Sequence, residues 1–162
     1  MGFPCAGIMA KGIKVEGLDE LIKKVESMGK RPEGLVKRAL YAGAGTMADA
    51  VKSAVGSLPI DEKFGTKNHK RDAVTAVQKA GLVSGVGISH MREEGGAVSV
   101  VIGFAGENAD GEKNTTVMRR VESGTSRTQK HPVIRQTKNR TKAAAMAAMQ
   151  KQFEEDIKEL FE

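Results

Sequence analysis

Val121-Glu122-Ser123-Gly124-Thr125-Ser126, followed closely by His131-Pro132-Val133-Ile134-Arg135, is the stretch around which the rest of this 162-residue chain is organised. Gly124 favours a turn, because glycine adopts positive φ without steric cost. Pro132 suits the first turn of a helix, where its missing N–H is not needed. The sequence before this stretch has the pattern of strands, whereas the sequence after it has that of one long helix. The stretch is therefore predicted to join a sheet to a C-terminal helix.

The N-terminal part predicts two helices. Apolar residues recur at steps of three and four over Leu18–Met28, and again from Pro32 to about Gly56. The second helix contains Gly43 and Gly45, and each glycine costs about 0.8–1 kcal/mol relative to alanine inside a helix. Two explanations stay open for these glycines: a tolerated weakness, or the close approach of another helix from the same or a neighbouring subunit.

The middle of the chain predicts loops and strands. The charged run from Asp61 to Arg71 reads as a mobile loop that Phe64 could pin. Ala73, Val74 and Val77 permit a short helix through Lys79 or a first strand, and we favour the helix. Alternating apolar residues predict strands over Leu82–Ile88 and Ala97–Phe104, paired as an antiparallel hairpin. The turn-rich segment 106–114 reads as a second solvated loop. The β-branched residues of Thr115–Val121 predict a third strand.

From Val133 to Glu162 the alanine runs and a stripe of methionine, phenylalanine, isoleucine and leucine predict a helix. The fold class expected is therefore α+β: two N-terminal helices, an antiparallel sheet of three or four strands, and a long C-terminal helix packed on that sheet. We expect residues 1–12 to be a flexible extension and residues 13–162 to form a single domain.

Charge is unevenly distributed. The chain has a formal net charge of +6, but the nine cations and one carboxylate between Lys113 and Lys142 give that segment +8. The cations singled out as candidate contacts are Arg119, Arg120, Arg127, Lys130 and Arg135. Such a segment needs counter-charge from nucleic acid or from an acidic protein surface.

Chemical motifs are sparse. The histidines at 69, 90 and 131 fall in separate segments without ligand spacing, and the single cysteine excludes an intramolecular disulfide. Phosphate-binding and nucleophile-elbow motifs are absent. No apolar run reaches about 18 residues, so we predict no membrane-spanning helix. We expect no enzymatic activity, catalytic residue, metal or cofactor.

One resemblance rests on the opening stretch. Glu122-Ser123-Gly124-Thr125 followed by Pro132-Val133-Ile134 resembles the tail-component family of long-tailed bacteriophages, in which glutamate, an aromatic residue, glycine and threonine precede proline, phenylalanine and an aliphatic residue. Ser123 and Val133 replace the two aromatic residues of that pattern. The order of the predicted elements from Gly12 onward is also similar.

The resemblance implies a structural virion protein of the neck or tail-completion region, assembled in the bacterial host cytoplasm. It implies a homo-oligomeric ring of sixfold symmetry that contacts the head connector or stopper and the tail terminator or tube, with DNA passing through its lumen. Glu122, Gly124, Thr125, Pro132 and Ile134 would then be motif and interface residues. Two alternatives stay open: a basic nucleic-acid-binding module, and a phage assembly factor that never enters the particle.

Overall fold

A computed structural model describes Lys23, residues 33–95 and residues 97–161 of the chain. Within this part there are helices and short strands in the following order: α1 (Glu33–Gly56), α2 (Ala76–Gly85), β1 (Val86–Ile88), β2 (Arg92–Glu94), β3 (Ala97–Ser99), β4 (Ile102–Phe104), α3 (Asn114–Ser123) and α4 (Val133–Phe161). The predicted α+β class is confirmed. The predicted extension over 1–12 lies outside the described residues, and so does the predicted helix Leu18–Met28 apart from Lys23.

The two long helices, α1 and α4, run antiparallel along each other. Leu35 and Ala39, near the start of α1, pack against Met149 and Phe153 in the second half of α4. The prediction that the last helix packs on the sheet is wrong, because its main partner is α1. At the same end, Arg38 Nε donates to the buried Asp156 Oδ2 over 2.8 Å.

Gly43 shows why these helices can approach so closely. A Cβ atom at this position would lie 2.3 Å from Met149 Cε and 3.0 Å from the carbonyl oxygen of Ala145. A glycine at position 43 is therefore explained by the close approach of α4 of the same chain. Gly45 is not explained in this way, because a Cβ there would meet nothing within 4 Å.

A second group of buried residues lies at the other end of α1. Its members come from α1, α2, α3 and the loops between them, namely Val51, Val55, Leu58, Ala73, Val74, Leu82, Val117, Met118 and Val121. Val133 and Ile134 at the start of α4 pack against this group. Within the described residues there is thus one apolar cluster at each end of the two long helices.

The strands form two small antiparallel sheets instead of the predicted single sheet of three or four strands. β1 pairs with β4, so that Val86 lies opposite Phe104, and β2 pairs with β3, so that Arg92 lies opposite Ser99. The predicted hairpin is therefore present, although its strands are interrupted. Between the two sheets Ser89 N–H donates to Val101 O over 2.8 Å.

One predicted strand, Thr115–Val121, is helical, and another, Leu82–Ile88, is helical over its first four residues and a strand, β1, over its last three. Leu82 and Val83 belong to α2, which begins with a capping box in which Thr75 Oγ1 accepts from Gln78 N and Gln78 Oε1 accepts from Thr75 N. Thr115–Val121 belongs to α3. In α3 the buried residues Asn114, Val117, Met118 and Val121 recur at three- and four-residue steps, so helical burial overrides the β-branched composition.

Candidate interaction surface

The residues that carry the family resemblance meet at the joint between α3 and α4. Glu122, in the last turn of α3, accepts hydrogen bonds at its two carboxylate oxygens from Ile134 N (2.8 Å) and Arg135 N (3.0 Å). These N–H groups belong to the first turn of α4 and have no acceptor inside that helix. Glu122 therefore caps α4 from a different helix, and its negative charge is placed favourably at the helix N-terminus.

The turn after Glu122 is built by Gly124 and Thr125. Gly124 has φ of +72°, a value that side-chain-bearing residues rarely adopt, and its N–H donates to Arg120 O (2.8 Å). Thr125 Oγ1 accepts from Arg127 N (3.1 Å) and Thr128 N (3.0 Å). These bonds close the loop into a compact turn and fix the direction in which the chain leaves α3.

The last two motif positions begin α4. Pro132 directly precedes the helix, and its carbonyl oxygen accepts from Gln136 N over 3.1 Å. Ile134 is half-buried against the apolar cluster at this end of the molecule. The structure thus brings all five motif residues together, and each has an internal contact or conformation that the joint uses.

The loop between α1 and α2 is attached to this joint, which the sequence did not predict. Arg71 N donates to Arg127 O and Gln129 N donates to Arg71 O, each over 2.8 Å. His131 Nε2 lies 2.6 Å from Asp72 O, so it donates to that carbonyl. These bonds join Arg71 and Asp72, at the end of the loop, to residues 127–131, and the mobility predicted for Asp61–Arg71 stays a prediction.

Asp61 holds the base of the same loop. Its carboxylate accepts from Asp72 N and from Lys63 N, each over 3.0 Å. The backbone hydrogen bond from Asp72, followed by that from Lys63, holds the pKa of Asp61 below its ordinary value of 3.8. The carboxylate therefore stays ionised at neutral pH and ties the two ends of the loop together.

The candidate cations do not share one environment. Arg119, Arg127, Lys130 and Arg135 are exposed. Arg120 is half-buried and forms an ion pair with Glu112, so it contributes to the interior of the subunit. Gln78 Nε2 donates to the same Glu112 over 3.0 Å, and Gln78 Oε1 accepts from Arg71 Nη2 over 3.2 Å. This polar chain links α2, α3 and both neighbouring loops.

Sequence reasoning missed the contribution of the loop between α1 and α2 to the basic surface. Lys67 and Lys70 are exposed, and the side chain of Phe64 is 84% exposed. Gly65 lies directly against the carbonyl of Arg127, because a Cβ there would be 1.9 Å from that oxygen. Because its side chain is so exposed, Phe64 does not pin the loop, and that prediction is wrong. The residue spacing within each loop gives no sign that the two loops lie side by side, because their approach depends on contacts between distant parts of the sequence.

Three other features concern cavities, metal ligands and membrane-spanning helices. A shallow cleft of about 170 Å³ lies between the end of α1 and the start of α4, lined in part by Leu58, Pro59, His131 and Arg140. Within the described residues no group of three potential metal ligands converges. None of the helices in that part of the chain is long and apolar enough to cross a membrane.

Comparison of the chain with protein-family models, with curated proteins and with solved structures gives no match.

Proposed function

We propose that this chain is a structural virion protein of the neck or tail-completion region of a long-tailed phage. In this role it forms a ring of sixfold symmetry that helps to join the tail to the head connector and lets DNA pass. Its work is assembly, and its partners are copies of itself, the connector or stopper, and the tail terminator or tube. No catalytic step is assigned to it.

The observation that carries the proposal is the joint between α3 and α4. Glu122 caps α4, Gly124 has the positive φ, and Thr125 closes the turn. Pro132 and Ile134 then start the helix and pack it. The pattern that resembles the tail-component family thus consists of residues that this fold uses at one place.

The β2–β3 hairpin supports lateral contacts between subunits. All the described residues of these two strands are exposed, and each strand pairs with the other. Three large apolar residues on or next to the strands have 36–42% of their area exposed: Ile88 in β1, Val98 in β3, and Val101 between β3 and β4. A two-stranded hairpin is marginally stable alone, and its free edges are ready to pair with another chain.

The exposed cations at the joint need a partner with opposite charge. Arg119, Arg127, Lys130 and Arg135 are candidates to face either the DNA path or an acidic surface of an adjacent ring. Reversal of Arg127 and Lys130 to glutamate should prevent heads from joining tails while leaving the far-ultraviolet circular dichroism spectrum unchanged. Infectious particles at normal yield from this double variant would show that the segment is only a solvated face.

The location of the protein in purified particles tests the proposal itself. We expect mass spectrometry to find the chain in intact virions and cryo-electron microscopy to place it in a ring between head and tail. Absence from purified particles would favour the assembly-factor alternative. A subunit inside the particle that makes no lateral contact with another copy would contradict the ring.

A further inference from the structure

The loop between α1 and α2 and the loop between α3 and α4 together form an exposed basic surface. We call it the two-loop surface and define it by Phe64, Lys67, Lys70, Arg127 and Lys130. The first three residues are far from the last two in the sequence. The hydrogen bonds of Arg71 with Arg127 and Gln129 bring the two loops side by side.

The backbone of this surface is held by several short-range bonds. Thr66 N donates to His69 O (2.8 Å) and His69 N donates to Thr66 Oγ1 (3.0 Å), so Lys67 lies in a closed turn. On the other loop Thr125 N donates to Thr128 O over 3.0 Å, which closes the turn that contains Arg127. The backbone positions of Lys67 and Arg127 are thus set by the fold before any partner binds, which reduces the entropy lost on binding.

Among the described residues, no carboxylate is a counter-ion for the cations of this surface. Lys67, Lys70, Arg127 and Lys130 form no salt bridge with any described residue. Nearby carboxylates are engaged elsewhere: Asp61 and Glu122 accept backbone N–H groups. Four unpaired cations on two adjoining loops attract a polyanion, and phosphate groups supply closely spaced negative charge.

Phe64 gives the surface a second property. A phenylalanine side chain that is 84% exposed leaves most of its apolar area in water, although its burial would be favourable. It follows Lys63 and precedes Gly65, the residue packed against Arg127. The same loop thus carries an exposed aromatic ring and exposed cations, the combination by which proteins bind single-stranded nucleic acid, with bases stacked on the ring and phosphates on the cations.

We infer that the two-loop surface binds single-stranded nucleic acid. Lys67, Lys70, Arg127 and Lys130 contact the phosphates, and an unpaired base stacks on Phe64. A duplex would satisfy the cations, but its bases are stacked on each other and cannot cover the ring. This inference goes beyond the proposed function, because it gives the basic surface a single-stranded partner, and binding to an oligonucleotide can be measured independently of any virion.

The test is a titration of the full-length protein with a fluorescent oligothymidylate of about 20 nucleotides and with a duplex of the same length. We expect tighter binding to the single strand. Replacement of Phe64 by serine should weaken single-strand binding by about 5- to 150-fold, the range of one stacked base. Phe64→Trp should retain the affinity of the wild type, because the larger ring can still stack.

Charge is tested by a matched pair of double variants. Lys67→Ala/Arg127→Ala should reduce the magnitude of the slope of log K against log salt by about 1.4, since each phosphate contact on a single strand contributes about 0.7. Lys37→Ala/Lys158→Ala removes the same charge from exposed positions at the opposite end of α1 and α4 and should leave the slope unchanged.

Three results would overturn the inference. The first is no binding to the single strand at low salt, which would leave an acidic protein as the partner. The second is binding that is equal to or weaker than duplex binding and is unaffected by Phe64→Ser. The third is equal loss from the two double variants, which would mean attraction by net charge alone. Val101→Ser, at an apolar residue that is 42% exposed, controls for loss of surface hydrophobicity. None of these results decides whether the chain is part of a virion.

Discussion

Glu122 and Ile134 are linked by a hydrogen bond of 2.8 Å from the backbone N–H of Ile134 to the carboxylate of Glu122, and this bond joins the end of α3 to the start of α4. Replacement of Glu122 by alanine should lower the free energy of unfolding by about 1 kcal/mol, the usual effect of losing a side chain that caps a helix. Urea denaturation of the two proteins measures the difference.

Glu159 supplies the control for this prediction. It is an exposed glutamate on α4, the helix that Glu122 caps, and it forms no salt bridge with a described residue. Glu159→Ala should change stability by less than about 0.5 kcal/mol. Equal effects from the two substitutions would contradict the capping role of Glu122. Glu122→Gln should be intermediate, because the amide keeps one acceptor oxygen but loses the charge.

Gly43 and Gly45 form a natural matched pair on α1. Gly43→Ala should destabilise the protein by about 1–3 kcal/mol, because the new methyl group would collide with the buried Met149 in a packed interface. Gly45→Ala should stabilise it by up to about 1 kcal/mol, because alanine favours the helix and its methyl group meets no other atom. Thermal unfolding of both variants gives the signs. If Gly43→Ala also stabilises, Met149 adapts at little cost and the interface is looser than the structure indicates.

The periodicity of apolar residues predicted the two long helices well, whereas residue composition gave the wrong secondary structure for α3. The apolar stripe of α1 and the alanine runs of α4 are local features, so their sequence sufficed. Thr115–Val121 was predicted as a strand because of its β-branched residues, although burial of Val117, Met118 and Val121 follows helical spacing. The Thr75-x-x-Gln78 capping box was also readable in the sequence and would have placed α2.

The candidate site was predicted only in part, because its other half depends on tertiary contacts. The spacing of Glu122, Gly124 and Pro132 indicated a turn before a helix, and the structure has one there. That Glu122 caps α4 depends on the direction in which the turn leaves α3. That Gly65 lies against Arg127 depends on hydrogen bonds across more than fifty residues, and no local pattern encodes them.

Asp61 predicts a specific dependence of stability on pH. Its pKa in the folded state lies below 3.8, so the folded protein binds fewer protons there than the unfolded chain. The stabilisation by Asp61 is therefore present above its ordinary pKa and is lost as the pH falls through the lower folded value. The difference in free energy of unfolding between wild type and Asp61→Asn should be largest at neutral pH and shrink in acid. A difference that grows on acidification would contradict the assignment.

The hydroxyl of Tyr41, a residue of α1, holds the segment between β1 and β2 against that helix. This hydroxyl accepts from Met91 N (2.9 Å) and lies 3.3 Å from Ser89 O, to which it donates. Both partners lie where β1 gives way to β2. Tyr41→Phe removes only the hydroxyl and should lower the free energy of unfolding by about 0.5–1.5 kcal/mol.

The local consequence of this substitution is the sharper test. The Met91 amide loses its acceptor, so its hydrogen exchange should accelerate in Tyr41→Phe, whereas exchange of the α3 amides should not change. A variant of Ser89 gives the comparison, because Ser89 Oγ accepts from Val101 N over 2.9 Å, whereas Tyr41 contacts the backbone carbonyl of Ser89. Ser89→Ala should accelerate exchange at Val101 and leave Met91 protected. If Tyr41→Phe leaves Met91 exchange unaltered, the hairpin is held by its own strand pairing and the hydroxyl does not anchor it to α1.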